Sequence, residues 1–338
     1  MAKNVATSLD VAKLAGVSQS AVSRVFTPGA SASKKTIEKV KIAAKELGYR
    51  PNVLARSLTT GRSRIIGLVV AYLENQFYPQ ALELLSKALQ QKGYHVLVFM
   101  VSQTRGNIDE ILQEILDYQA DGIVMASVAM SSELAEYCQS AGVPVVLFNR
   151  SHDDERLSAV TTDNHEGGRK VADYLVRSGH KRIAYIAGWE GASTQRDREQ
   201  GFLDGLQSAG QTVFKREVGN FLHEDAIAAT KRLFEGPTNP DAVFVANDHM
   251  AFAVMDTIRD TLGLKIPEDV SVVGYDDVPI AAWPAYSLTT VRQPCNRMVA
   301  ETVDILMSGI NAHQANGGAC EVRKTQIEGP LIIRGSSR

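Results

Sequence analysis

Apolar side chains in the first fifty residues recur every three or four positions, in three short runs divided by small and polar residues. That is the spacing of helices with one narrow apolar stripe. The first run goes from about Leu9 to Ala15, with Thr7 placed to cap it, Asp10 three residues on as the returning carboxylate, and Gly16 closing it. The second starts after Ser18 and reaches about Phe26, with Ala21, Val22 and Val25 on one face. The third follows Ser33, carries Ile37, Val40, Ala44 and Leu47 in line, and ends at Gly48. Three such stripes suffice for a small helical core.

From Arg64 onward the period changes. RIIGLVV (64–70), YHVLVFMV (94–101), DGIVMAS (121–127) and VPVVLFN (143–149) read as buried strands separated by amphipathic helices. A second series begins near residue 160 with AVTTDN, RIAYIAG, DAVFVAND and VSVVGYDD, again with helices between. Strands alternating with helices make a parallel sheet covered on both faces, and two series in tandem predict two similar lobes. After residue 290, TTVRQP, a helix at RMVAETVDILMSG and IEGPLIIRGS form a tail expected to cross between them.

The expected organisation is therefore a small all-α helix-turn-helix headpiece over 1–50, a linker over 51–63 and an α/β two-lobed parallel-sheet domain over 64–338. Within that domain, lobe 1 takes about 64–160 plus 293–320, and lobe 2 about 161–292 plus 321–338.

Charge sharpens this division. Residues 1–64 hold twelve Lys/Arg against three Asp/Glu, or +9, leaving −11 on the remainder of a chain whose net charge is −2. A compact basic segment is the electrostatic footprint of a phosphate-binding module. The turn between the first two helices is about three residues, Gly16 to Ser18. In a helix-turn-helix so joined, the second helix enters the major groove of DNA by its N-terminal end. Gln19, Ser20 and Arg24 point away from the Ala21/Val22/Val25 stripe; Gln can pair with adenine and Arg can grip guanine. Ser23, Lys34, Lys35 and Lys39 are placed to meet phosphate. Next, YRPNVLARSLTTGRSR sets Leu54 and Leu58 four residues apart in a segment too short to be a stable helix alone. Supported by a minor groove, it could wedge a leucine between base steps.

The segment SLDVAKLAGVSQSAVSRVF…KTIEKVKIAAKELGYRPNVLARSL resembles the headpiece and hinge of the lactose-repressor/galactose-repressor (LacI/GalR) family of transcription regulators. The resemblance extends over nearly the whole chain and implies a periplasmic-binding-protein-like domain with a ligand cleft between lobes. It implies that Gln19, Ser20 and Arg24 read bases, that Leu58 intercalates, and that Leu54 and Ala55 support the hinge.

Independently, ligands of open parallel sheets sit beyond the carboxyl ends of the strands. Those ends carry Phe77 and Tyr78, Ser127, Asn149 with Arg150, Asp163, Asp248 and Asp276, with Arg198 near a helix start. Carboxylates and guanidinium groups can each hold vicinal hydroxyls, and aromatic faces pack on a sugar ring. The resemblance gives Arg198, Asp248 and Asp276 the grip on an effector and Phe77, Tyr78 and Phe221 the pocket wall. Asn149 stands where some family members have aspartate. Several of these Asp and Asn positions also suit helix capping, which needs no ligand.

No phosphate-binding glycine loop, GxGxxG, HExxH or GxSxG occurs, and the seven histidines are scattered, so no enzyme, cofactor or metal is expected. The three cysteines are far apart and no export signal or spanning segment is evident, which suits the reducing cytoplasm and excludes a membrane partner. The expectation is a repressor, homodimeric on a pseudo-palindromic operator, controlled by a small effector such as a sugar or sugar acid. The resemblance implies that tetramers form through an extra C-terminal helix with leucine heptads; IIRGSSR carries none, so a dimer is the expectation. A plain sugar-transport protein and an architectural DNA-binding protein without effector are the competing classes; the basic headpiece weighs against the first and the polar cleft against the second.

Overall fold

The computed structural model describes residues 6–26, 31–50, 62–101, 108–127, 132–152, 154–316 and 321–338. The chain divides into two compact units, Met1–Ser63 and Arg64–Arg338.

In the first unit, α1 (Ser8–Ala15), α2 (Gln19–Phe26) and α3 (Lys34–Glu46) follow the sequence periodicity. The Thr7 hydroxyl accepts the Asp10 N–H at 3.3 Å while the Asp10 carboxylate accepts the Thr7 N–H at 2.9 Å, so two of the orphan donors at the start of α1 are satisfied reciprocally. Gly16 closes α1 at φ 63°, in the left-handed region, where a side chain costs energy that glycine avoids. Ser18 and Ser33 accept backbone N–H groups at the starts of α2 and α3. The core is Val11, Ala12, Ala15, Val22, Val40, Ala43 and Ala44, with Val25, Phe26 and Tyr49 packed against it. Leu47, placed in the third stripe by its spacing, is 37% exposed. It caps α3 just past its last helical residue, and Tyr49, its N–H bonded to Ala44 O at 2.8 Å, packs on the core instead.

The second unit holds two six-stranded sheets that repeat one plan. The first comprises β1 (Ile65–Val70), β2 (His95–Met100), β3 (Gly122–Ala126), β4 (Val145–Phe148) and β5 (Ser158–Thr162), ordered 2-1-3-4-5 and extended by β11 (Lys324–Ile327). The second comprises β6 (Ile183–Ala187), β7 (Arg216–Val218), β8 (Ala242–Val245), β9 (Ser271–Asp276) and β10 (Thr289–Arg292), in the equivalent order and extended by β12 (Leu331–Ile332). Pairing is parallel except between β10 and β12. Every residue of β3, β5, β6, β8 and β9 is buried, the condition of strands covered by helices on both faces. The edge strand β2 is half open to solvent.

The lobe limits depart from expectation twice: AVTTDN, expected to open the second series, supplies β5 of the first sheet, where it pairs with β4, and the tail also divides differently. Lys324–Ile327 pairs with Ser158–Thr162, so β11 belongs to the first sheet, and only the run from about 331 lies with the second. An edge strand covered on one side needs no apolar run: of Lys324–Ile327 only Ile327 is fully buried, and KTQI gives no strong strand signal. The chain thus crosses between sheets three times, after β5, after β10 and after β11. The expected linker over 51–63 lies, for residues 51–61, outside the described residues.

In each sheet the order reverses direction between its first and third strands, β1/β3 and β6/β8. That switch point opens a crevice at the carboxyl ends of the strands.

Candidate DNA-reading face and effector cleft

On α2, Val22 faces the core while Gln19, Ser20, Ser23 and Arg24 are exposed. The Gln19 amide donates to Ser8 Oγ at 2.9 Å and Arg24 Nε to Ser20 O at 3.4 Å. Ser8 thus holds the Gln19 side chain from the neighbouring helix, a contact its place in α1 did not announce. Lys34, Lys35 and Lys39 are exposed on α3. The hinge positions Leu54, Ala55 and Leu58 lie outside the described residues.

The second constellation gathers at the carboxyl ends of both sheets. Its centre is Asp276, 4% exposed at the end of β9. One carboxylate oxygen accepts Asn75 Nδ2 from the first lobe at 3.1 Å, and the other accepts Gln293 Nε2 from the crossover after β10 at 2.6 Å. Arg198 stands 3.7 Å away on the helix Ser193–Ser208. Its guanidinium donates to Asn164 Oδ1 at 2.8 Å and to Ala246 O at 2.6 Å, and stacks 3.7 Å over the Tyr275 ring. Burial raises the Asp276 carboxyl above its ordinary range, and Arg198 opposes that most strongly.

Around this centre, Asn149 donates to the Tyr78 hydroxyl at 3.2 Å. Its own Oδ1 is buried and finds no partner among the described residues, an acceptor open to a ligand hydroxyl. Arg150 donates to Thr194 Oγ1 at 2.7 Å across the lobes and to Ser127 Oγ at 3.3 Å, and lies 6.0 Å from the Phe221 ring. Ser151 N–H donates to Ser193 Oγ at 2.9 Å. Ser127, Asn149, Phe221 and Asp276 all have positive φ, at 64°, 57°, 62° and 133°. Non-glycine residues held there cost about 1–3 kcal/mol each and cluster at ligand sites.

Three expected site residues have other duties. Asp163 accepts the Glu166 N–H at 2.9 Å as N-cap of the following helix. Asp248 is fully buried, with its oxygens bonded to Val278 N at 3.0 Å and Thr290 Oγ1 at 2.6 Å; burial first, then the charge of Asp276, pushes its carboxyl up to about 8. Phe77 stacks on Phe148 at 6.1 Å inside the first-lobe core, leaving the polar edge to Tyr78. The group also contains Asn164, which the sequence places with Asp163 at the end of AVTTDN, and Asn75, Gln293 and Thr194, which sequence reading did not select. Asn75 carried the one available signal, three residues from Tyr78 just past β1; its Oδ1 accepts the Phe77 N–H at 3.0 Å.

Among the described residues no helix is long and apolar enough to cross a membrane, and no three His, Cys, Asp or Glu side chains are arranged to hold a metal ion.

Comparison with known proteins gives two family matches: bacterial regulatory proteins of the lacI family over residues 7–52, and a periplasmic binding protein-like domain over 172–337. The HTH-type transcriptional regulator CelR of Thermobifida fusca is 35% identical over 337 residues, 96% of each chain. The ribose operon repressor of Escherichia coli is 29% identical, covering 98% of this chain and all of that one. Among solved structures, a CelR–cellobiose complex matches with TM-score 0.73 at 31% identity over 98% of this chain and 99% of that chain. A lac repressor dimer bound to operator and the anti-inducer ONPF matches with TM-score 0.87 at 27% identity over the same shares.

Proposed function

The chain belongs to the lacI family of bacterial regulatory proteins, and from that premise we propose that it is a cytoplasmic, homodimeric repressor whose operator affinity is set by a small polyhydroxylated effector bound between its lobes. It is a DNA-binding regulator and not an enzyme, as its relatives are. The observation that carries the effector reading is the tie of Asp276 to both lobes, through Asn75 on one side and Arg198 and Gln293 on the other. A hydroxylated ligand offering its own donors to that carboxylate competes with Asn75. Replacing an interlobe bond by ligand bonds shifts the angle between sheets joined by three crossings.

Arg198, Asp276, Asn149, Arg150, Asn75 and Gln293 would hold hydroxyls, with Tyr78 and Phe221 as walls. Asp248, braced internally, would set the backbone around Asp276, and Asp163 would hold its helix. Ser127 would orient Arg150.

On DNA, Gln19, Ser20 and Arg24 would read base edges, Ser23 and the α3 lysines would meet phosphate, and two headpieces on a two-fold pseudo-palindrome would double the contacts. Hinge residues Leu54, Ala55 and Leu58 would order on the minor groove. Thermal unfolding against sugars, sugar acids, sugar phosphates and purines tests the cleft: a ligand at about a hundred times its Kd adds about 2.7 kcal/mol. Leu58→Ala tests the modularity: operator binding weakens while the ligand's Kd stays unchanged. A joint loss of both contradicts separate modules.

A further inference from the structure

Trp189 is 43% exposed, yet the loop that carries it is tightly fixed. The loop leaves the carboxyl end of β6. Gly188 N–H donates to the buried Gln195 side chain at 2.6 Å, and Ala192 N–H donates to Trp189 O at 3.0 Å. Ser193 and Thr194, immediately beyond, accept bonds from Ser151 N and Arg150 of the other lobe. Gly188 lies against Phe221: a Cβ there would meet the ring at 2.2 Å. Gly191 lies under the indole: a Cβ there would meet it at 2.4 Å. The tryptophan therefore rests on bare backbone, on a loop otherwise occupied with the cleft, and keeps much of its surface open to water. A rigid aromatic held in place before binding loses little conformational freedom when a ring stacks on it.

We infer that Trp189 is an outer stacking subsite, and that the effector is a saccharide of at least two rings. This rests on the cleft reading above. The inner ring takes Asp276, Arg198, Asn149 and Arg150, and the second ring stacks on Trp189 outside Phe221. The chemistry needed is a pyranose whose axial C–H face is free to lie on an indole. The similarity to a regulator whose structure is a cellobiose complex makes that disaccharide the first probe.

The test is isothermal titration of the full chain and of Trp189→Ala and Trp189→Phe with D-glucose and with cellobiose. Trp189→Ala should weaken cellobiose by about tenfold and alter glucose by less than about twofold, while Trp189→Phe keeps most of the affinity. The chain has two tryptophans, so Trp283→Phe leaves Trp189 as the sole indole emitter. Its fluorescence should change with cellobiose and not with glucose. Equal losses for both sugars, or none for either, overturn the subsite. Wild-type protein that binds neither sugar also overturns it; a thermal shift with another ligand class would then leave the cleft reading standing.

Discussion

Arg198 and Asp276 face each other almost without water, with side chains 3% and 2% exposed and 3.7 Å between charged atoms. At an effective dielectric of about 20, two unit charges at that separation attract by about 4–5 kcal/mol. Water and side-chain relaxation reduce this once either partner is removed, so a coupling of about 2–3 kcal/mol is expected from a double-mutant cycle. The cycle is Arg198→Met, Asp276→Asn and the pair together, read by thermal unfolding of the full chain followed by circular dichroism. Arg198→Met alone strands a buried carboxylate and should cost about 3–5 kcal/mol. It also gives up the bonds to Asn164 and Ala246 O. Asp276→Asn leaves one of the Asn75 and Gln293 donors facing an amide nitrogen. That loss occurs with and without Arg198 and so cancels in the cycle. The coupling should be present at pH 7 and fade as acid protonates Asp276. A coupling below about 0.5 kcal/mol at pH 7 would refute a charged Asp276 held by Arg198.

Other consequences follow from single residues. Asp248→Asn should become progressively more stable than wild type as pH rises from about 4 to 8. The folded carboxyl titrates near 8 against an ordinary 3.8, so wild type alone resists the ionisation that its unfolded chain undergoes; melting temperatures that move in parallel over that window would contradict this. Gly16→Ala meets no atom within 4 Å, but its φ is +63°. The cost, about 1 kcal/mol, is purely conformational, and it should appear as an earlier headpiece transition in thermal unfolding of the full chain, with cleft binding unchanged.

The headpiece was legible because its information is local. Caps at Thr7, Ser18 and Ser33, the glycine at 16 and the stripes all act within a few residues. The two lobes were legible because buried parallel strands are continuous apolar runs. β11 escaped because half-burial imposes little pattern. The cleft was legible only as strand ends. Which polar residue at an end meets a ligand and which caps a helix depends on partners far away in sequence: Asn75 reaches Asp276 over 201 positions and Thr162 reaches Gln293 over 131. Asp163 and Asp248 have the same chemistry as Asp276 and similar places after their strands, yet one serves a helix N-terminus and the other a backbone brace.

The central claim is that one small molecule in the cleft governs grip on DNA. Its most direct test is the affinity of the full-length protein for its selected operator, measured by anisotropy at one fixed salt concentration, with and without a saturating amount of the ligand found by thermal shift. Affinity should change by about 5-fold to 150-fold, a coupling of about 1–3 kcal/mol. Unchanged operator affinity with the cleft demonstrably filled would contradict the account.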